Sequence, residues 1–486
     1  MYRVACPSCG AEVVFRSTIS VMAVCEYCRT VVLRDADAVR EQGKLSNVLE
    51  DASPLQIGSS GVYLGRHFAL VGRIQLRYDA GYWNEWYALF DDGSAGWLAE
   101  AGGQYVFTLA VSDATDIPAF ENLRVGAIYR YGGNSYTTSD IRSARCTGGQ
   151  GELPFVVGDG WEAKVADARC RERFLTLDYS DAEPQVYVGT AAPLDTLAMQ
   201  LLRDDDAIVA AAGRLRGTPQ TLACPSCGSP LDFPAGVAPQ LVCPACHAEV
   251  DCSADTATLI AKHAELARVV TTLSIGDVGM IDGRKWSVIG LLRAREVDEV
   301  ASSWTEYLLH HPSGGLQWLV ESDDGWDKVR VLDIWPETAS SEQASYKGEI
   351  FRHLYDYTAA VSYAAGAFNW RVAVGDRTQI ADYERNGVKL TRESSASEMG
   401  WSRSERVSAQ LVGQWFNKPA LAAAAPAMRL SGERTSLRGP AIFAMGAMLL
   451  FNVPIWFASG LDFDVLLVAF IAMVLIWIPA NQDFNG

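Results

Sequence analysis

A chain of 486 residues with 41 Lys+Arg against 58 Asp+Glu carries a formal net charge of −17, which argues against a protein whose main work is gripping nucleic-acid phosphates. With 49% hydrophobic and 20% charged residues, the composition excludes a largely disordered chain. The length suits roughly three units of about 150 residues.

The chain opens on Cys6-x2-Cys9-x15-Cys25-x2-Cys28, and the same spacing returns as Cys224-x2-Cys227-x15-Cys243-x2-Cys246. Each set begins on a Cys-Pro-Ser-Cys-Gly turn, where Pro fixes φ and Gly accepts a left-handed conformation after the second thiol. This is zinc-ribbon spacing, so two structural Zn2+ sites are expected, closed to water and substrate; iron or a thiol redox pair are the alternatives for the same donors. His247 reads as an exposed neighbour of its set, and Cys146, Cys170 and Cys252 read as buried small hydrophobes. Free thiols in this number point to a reducing compartment.

The two cysteine sets are 218 residues apart, and the offset persists beyond them. Leu55-x-Ile57-Gly58-x-x-Gly61 recurs as Leu273-x-Ile275-Gly276-x-x-Gly279, and Gly72 as Gly290. From Trp83-x-Glu85, matched by Trp304-x-Glu306, the offset is 221, and Trp97-Leu98 and Glu100 match Trp318-Leu319 and Glu321. One unit is therefore written twice.

In chain order the reading is a zinc ribbon (1–35), a helical connector (36–54), a β-rich domain (55–192), a helical linker (193–219), a second ribbon (220–252), a second helical connector (253–272) and a second β-rich domain (273–416). An Ala/Pro-rich tether (417–439), a transmembrane hairpin (440–480) and a short tail (481–486) follow. The fold class is mainly β (α+β). Aromatic runs such as residues 82–90, followed by the Asp91-Asp92-Gly93-Ser94 turn, predict a hairpin in a small barrel-like sheet.

Residues 440–459 form 20 consecutive positions without a charge and residues 465–480 another 16, which suits two membrane spans. Lys418, Arg429, Arg434 and Arg438 precede the first span, while the loop between spans carries only Asp462 and Asp464. Positive-inside orientation puts both termini in the cytoplasm, at the inner membrane, with the lipid bilayer as a partner through 440–480.

No GxxxxGK[ST], HExxH or GxSxG stretch occurs, and no catalytic residue is assigned. The candidate ligand-binding residues are the repeated set Trp83, Glu85, Trp97 and Glu100, with Trp304, Glu306, Trp318 and Glu321. Aromatic faces beside carboxylates suit a cation; the same tryptophans in a core and glutamates in solvent are the plainer alternative. Asp159 and Asp376, each after a glycine, read as turn residues, with a hydrolase acid/base role as the alternative. The second ribbon contains no Lys or Arg between Cys224 and Cys252, which disfavours nucleic acid there.

The Trp-x-Glu strand, the glycine turn, the Trp-Leu pair with its following Glu and the later Gly-Asp resemble a bacterial domain-of-unknown-function family, number 4178, in two copies each preceded by a CPxCG zinc ribbon. The resemblance covers roughly residues 55–188 and 273–414, and implies accessory, envelope-associated work near membrane-channel, phage-shock-like and polyamine-synthesis-like genes. It brings no catalytic residues. The functional expectation is a cytoplasm-facing, membrane-anchored scaffold that recruits a protein partner; the alternative is a sensor of a cationic metabolite such as a polyamine, and a hydrolase ranks last.

Overall fold

The computed structural model describes residues 2–422 except 17–19, 29, 36–37, 45–52, 79–80, 159, 212–221, 232–239, 252–257, 262–269, 298–301, 313 and 341. The chain divides into a compact unit, Met1–Ala425, and a second, Pro426–Gly486, which lies outside the described residues together with the expected membrane hairpin. Among the described residues no helix is long and apolar enough to cross a membrane.

The described chain is mainly β, and both copies fold alike. Alternating aromatic and β-branched residues make long antiparallel strands that bury both faces. In the first copy eight strands close on themselves in the order Asn134–Leu153, Trp161–Cys170, Arg173–Asp178, Gln185–Ala191, Gln104–Val111, Ala95–Ala101, Gly81–Phe90 and Arg66–Tyr78, the last pairing back onto the first. In the second the order is Glu349–Phe368, Arg377–Arg385, Val388–Ser394, Met399–Val407, Gly325–Val331, Gly315–Ser322, Ser303–His311 and Arg284–Glu296, with the same closure. Eight strands leave a lumen that side chains fill or that holds one small ligand.

Closure depends on glycine. A Cβ on Gly72 would stand 1.8 Å from the Glu152 carbonyl oxygen, and one on Gly151 2.2 Å from that of Val71. Gly290 and Gly366 repeat the arrangement, at 2.6 Å from Ala367 O and 2.4 Å from Ile289 O. Beyond this crossing each closing strand continues into its ribbon, Glu152 and Leu153 pairing with Ala23 and Met22, and Gly366 to Phe368 pairing with Val242 to Gln240. Ribbon and barrel thus share one sheet.

The outer faces are covered rather than bare. In the first barrel Leu55, Tyr63, Ala192 and Leu197 pack over Phe68, Trp86, Leu98 and Phe107, and the excursion carrying Leu123 and Tyr129 covers Ala166, Leu175 and Val186. In the second, Val412 and Phe416 of the Ser408-capped helix Ala409–Trp415 cover Tyr307, Leu309 and Leu319.

The copies dock head to tail. Gln104 Nε2 donates to Leu332 O at 3.3 Å and to Asp333 Oδ1 at 3.1 Å, and Arg169 Nη1 donates to Asp333 O at 3.2 Å. The Trp335 amide donates to Arg171 O at 3.1 Å, and Ile141 N donates to Ser397 O at 3.0 Å. Each of these contacts sets a segment of the second copy against the rim of the first barrel.

Two helical expectations are corrected. Within the connectors, Ala38–Lys44 is a strand paired with Thr30–Asp35, and Thr258–Ala261 is a strand paired with Glu249–Asp251; the remainder of each lies outside the described residues or in loop. The ribbon's last strand offers an open ladder of amides and carbonyls one turn away, whereas an isolated helix under about 12–15 residues is marginal. The linker at 193–219 is not one helix: a turn at Leu194–Thr196 and a short helix at Asp205–Ala211 flank an extended stretch in which Gln200 bridges Ser60. Backbone pairing to the barrel edge wins over helix propensity there.

Candidate functional site

The eight cysteines gather into two clusters in which all sulfurs lie within 4.8 Å of one another. Cys6 and Cys28 are 3.6 Å apart, Cys9 and Cys25 3.7 Å, Cys224 and Cys246 3.7 Å, and Cys227 and Cys243 3.8 Å. Four thiolates 2.3 Å from a tetrahedral zinc have edges of about 3.8 Å, whereas a disulfide would need about 2.05 Å. The donor set therefore fits a closed metal site. The amides of Ala11, Thr30 and Ser229 point at the thiols of Cys9, Cys28 and Cys227, as a knuckle requires.

His247 is not the exposed neighbour expected: it is buried, takes φ 56, and packs edge-on against Tyr363 at 5.2 Å. It occupies the left-handed position that Gly10 and Gly228 fill in their turns.

The Trp/Glu set divides by strand parity. Trp83, Glu85 and Tyr87 face the lumen, as do Trp97 and Ala99, while Glu100 faces outward, one residue out of phase. Trp83 Nε1 donates to Glu85 Oε1 at 3.0 Å, and Trp304 Nε1 to Glu306 Oε1 at 2.6 Å. Trp97 shares their face but is committed to packing, stacked on Phe155 at 5.9 Å; Trp318 meets Trp370 at 5.5 Å.

Glu100 accepts from Trp86 Nε1 at 2.9 Å, Tyr105 Oη at 3.1 Å and Asn84 Nδ2 at 3.2 Å beneath the outer covering. Glu321 accepts from Tyr307 Oη at 2.6 Å and Thr272 Oγ1 at 2.5 Å. Both are structural carboxylates on the wrong side of the sheet to join the lumen. Residue 159 is outside the described residues, and Asp376 accepts from the Ala373 amide at 2.7 Å in an exposed turn, remote in role from an acid/base couple.

The lumen brings in residues the motif reading missed. Asp167 and Asp178 act electrostatically on Glu85 from across the first barrel; Asp382 and Glu306 act on Glu393 in the second. The sets match at a constant 215-residue offset, Asp167 with Asp382, Thr176 with Thr391 and Asp178 with Glu393. Thr176 donates to Asp167 at 2.7 Å, and Thr391 to Asp382 at 2.6 Å. Comparing the copies position by position beyond residue 160 contains this signal.

Burial dominates the acidity of these groups. It pushes the Glu85 carboxyl up to about 8 against the pull of the Trp83 indole, with Asp167 and Asp178 pushing the same way. Glu393, open to solvent, is pushed up by its place among protein groups and by the charges of Glu306 and Asp382. Burial raises Asp167, Asp382 and Glu306 as well. Yet Glu85, Glu306 and Asp167 keep some accessible surface and Glu393 is exposed, so side chains do not seal the lumen at these carboxyls.

Fold and site together define a tandem-barrel protein with a four-cysteine ribbon fused to each barrel and an acid–aromatic lumen in each. Residues 56–193 and 274–409, more than half of the chain, match the family model for a domain of unknown function, DUF4178, and the chain belongs to that family. No curated protein and no solved structure matches the chain.

Proposed function

We propose that the protein binds a small organic cation, of the amine class that includes polyamines, in its barrel lumens. The observation that carries this reading is the matched lumen set, Trp83/Glu85/Asp167/Asp178 and Trp304/Glu306/Asp382/Glu393, present in both copies. Aromatic faces attract a cation by their quadrupole, carboxylates pair with it, and the net charge of −17 raises its local concentration. A cation entering the lumen favours ionised carboxyls, so binding releases protons and tightens as pH rises from about 6 to about 9.

The ribbons belong to the same reading as structural zinc sites that hold the closing strand of each barrel. The tail at 440–480 is the membrane tether, with both termini in the cytoplasm, and a protein partner at the inner membrane receives the ligand signal.

The test is thermal unfolding of the full-length protein in detergent with and without spermidine. A ligand-induced rise that disappears in the double variant Glu85→Gln/Glu306→Gln supports the reading; no rise in the parent protein, or an undiminished one in the variant, refutes it. Crosslinking in native membranes with and without the tail tests the partner.

A further inference from the structure

We infer that the second barrel is the receiving lumen, and that its ligand carries a guanidinium or similarly flat cationic group, because the first barrel already holds one of its own. This rests on the cation-binding reading and narrows it to one barrel and one chemistry.

In the first barrel Arg142 lies 2.5 Å from the Asp140 carboxylate, with its guanidinium carbon 4.4 Å above the Tyr78 ring, and at the rim it also reaches Glu398 of the second copy at 2.9 Å. Its charge also acts on Asp167, as does that of Arg169. A guanidinium set between carboxylates and over an aromatic face is how a free guanidinium would be held. The chain thus shows what chemistry this part of the lumen accepts.

The second barrel keeps the shared acids and loses both arginines. At the 215-residue offset Asp140 becomes Tyr355, Arg142 becomes Tyr357 and Arg169 becomes Glu384. Tyr355 and Tyr357 lie 5.3 Å apart, and Tyr357 meets Trp304 edge-on at 6.0 Å. Glu306, Asp382 and Glu393 all act on Tyr357, which places the aromatic surface among the three carboxyls.

Cations act on Asp382, but none is among the groups acting on Glu306 or Glu393. Lys389 and His353 act on Asp382, but His353 is paired with Asp356 at 3.0 Å, and Arg406 with Asp327 at 3.1 Å. The charges acting on Glu393 are those of Glu306, Asp382 and Glu398, all acidic. Glu393 is also one methylene longer than its counterpart Asp178 and is exposed in the lumen. A ligand cation stacked on Tyr357 and Trp304 and paired with Glu393 supplies what Arg142 supplies in the first barrel.

The experiment is titration calorimetry on the full-length protein in detergent at alkaline pH, with agmatine as probe and putrescine as the diamine without a guanidinium. The expected result is about one agmatine per chain, bound about tenfold more tightly than putrescine. Glu393→Gln weakens it by about tenfold or more, and Arg142→Tyr raises the stoichiometry to about two. Undiminished binding in Glu393→Gln overturns the choice of barrel. Equal affinity for putrescine overturns the guanidinium preference, and a folded Arg142→Tyr variant that still binds one overturns the internal-substitute argument. If neither amine nor spermidine binds, the cation-binding reading itself has failed. The Glu393→Gln and putrescine arms stand even if Arg142→Tyr does not fold.

Discussion

Replacing Glu85 by Gln makes the first barrel more stable, by an amount that grows from about pH 5 to about pH 8. Burial holds the folded-state carboxyl at about 8 against an ordinary 4.5, so the native protein binds this proton more tightly than the unfolded chain does. The resulting stability is present in full below pH 4.5 and is lost as pH rises towards 8; above that no further loss accrues. At about 1.36 kcal/mol per pH unit the interval is worth about 5 kcal/mol, an upper bound because Asp167 and Asp178 share the titration. Gln keeps an oxygen to accept from the Trp83 indole, now 3.0 Å from the carboxylate, and cannot ionise. The assay is thermal unfolding followed by tryptophan circular dichroism at pH 5, 7 and 9, parent against variant. Half of the upper bound is roughly 8 °C at about 3 °C per kcal/mol. A variant whose offset from the parent is the same at pH 5 and pH 9 would refute the placement of Glu85 in a poorly hydrated lumen.

Changing Cys6 and Cys9 to Ser releases about one of two zinc ions, read by elemental analysis, and loosens the first ribbon while the second is kept; two ions retained contradicts the ligand assignment. Gly72→Ala forces a Cβ to within 1.8 Å of the Glu152 carbonyl and costs about 3 kcal/mol, seen as a lower unfolding temperature with the ribbon–barrel crossing exposed to hydrogen exchange. Glu100→Ala strands the Trp86, Tyr105 and Asn84 donors under the outer covering and costs about 1–3 kcal/mol without altering cation binding; an altered affinity would place Glu100 in the lumen after all. Deleting residues 426–486 moves the protein from the membrane fraction to the supernatant; retention in the pellet would refute the tether.

Duplication made much of the fold legible. Trp83/Glu85 and Trp304/Glu306 stand out because the same pair appears twice on strands of the same aromatic character, and parity puts each pair on one face. The parity rule also separates Trp97 from Glu100, three residues apart, so their joint assignment to one site was already inconsistent with an extended strand. Asp167, Asp178, Asp382 and Glu393 were not legible from motifs. They lie 76 to 93 residues after Glu85 and Glu306, and only barrel closure brings them opposite. The connectors misled for another reason: a few apolar residues at helical spacing say nothing about an adjacent unpaired strand edge, and that edge decides their conformation.

In the head-to-tail docking of the copies, the second copy carries a rim of its own at the place equivalent to the one that receives it. A heterologous contact that repeats along a chain is open-ended and leads to a filament unless one end is made incompatible. The rim that receives the second copy is built from Gln104, Arg169, Arg171 and Arg142, and the second copy presents Gly325, Glu384, Asn386 and Tyr357 at those positions. A further protomer bringing the two loops that carry Asp333 and Glu398 would meet a carboxylate instead of guanidinium groups. The rim of the second copy therefore lacks the guanidinium groups that hold the docked segments on the first.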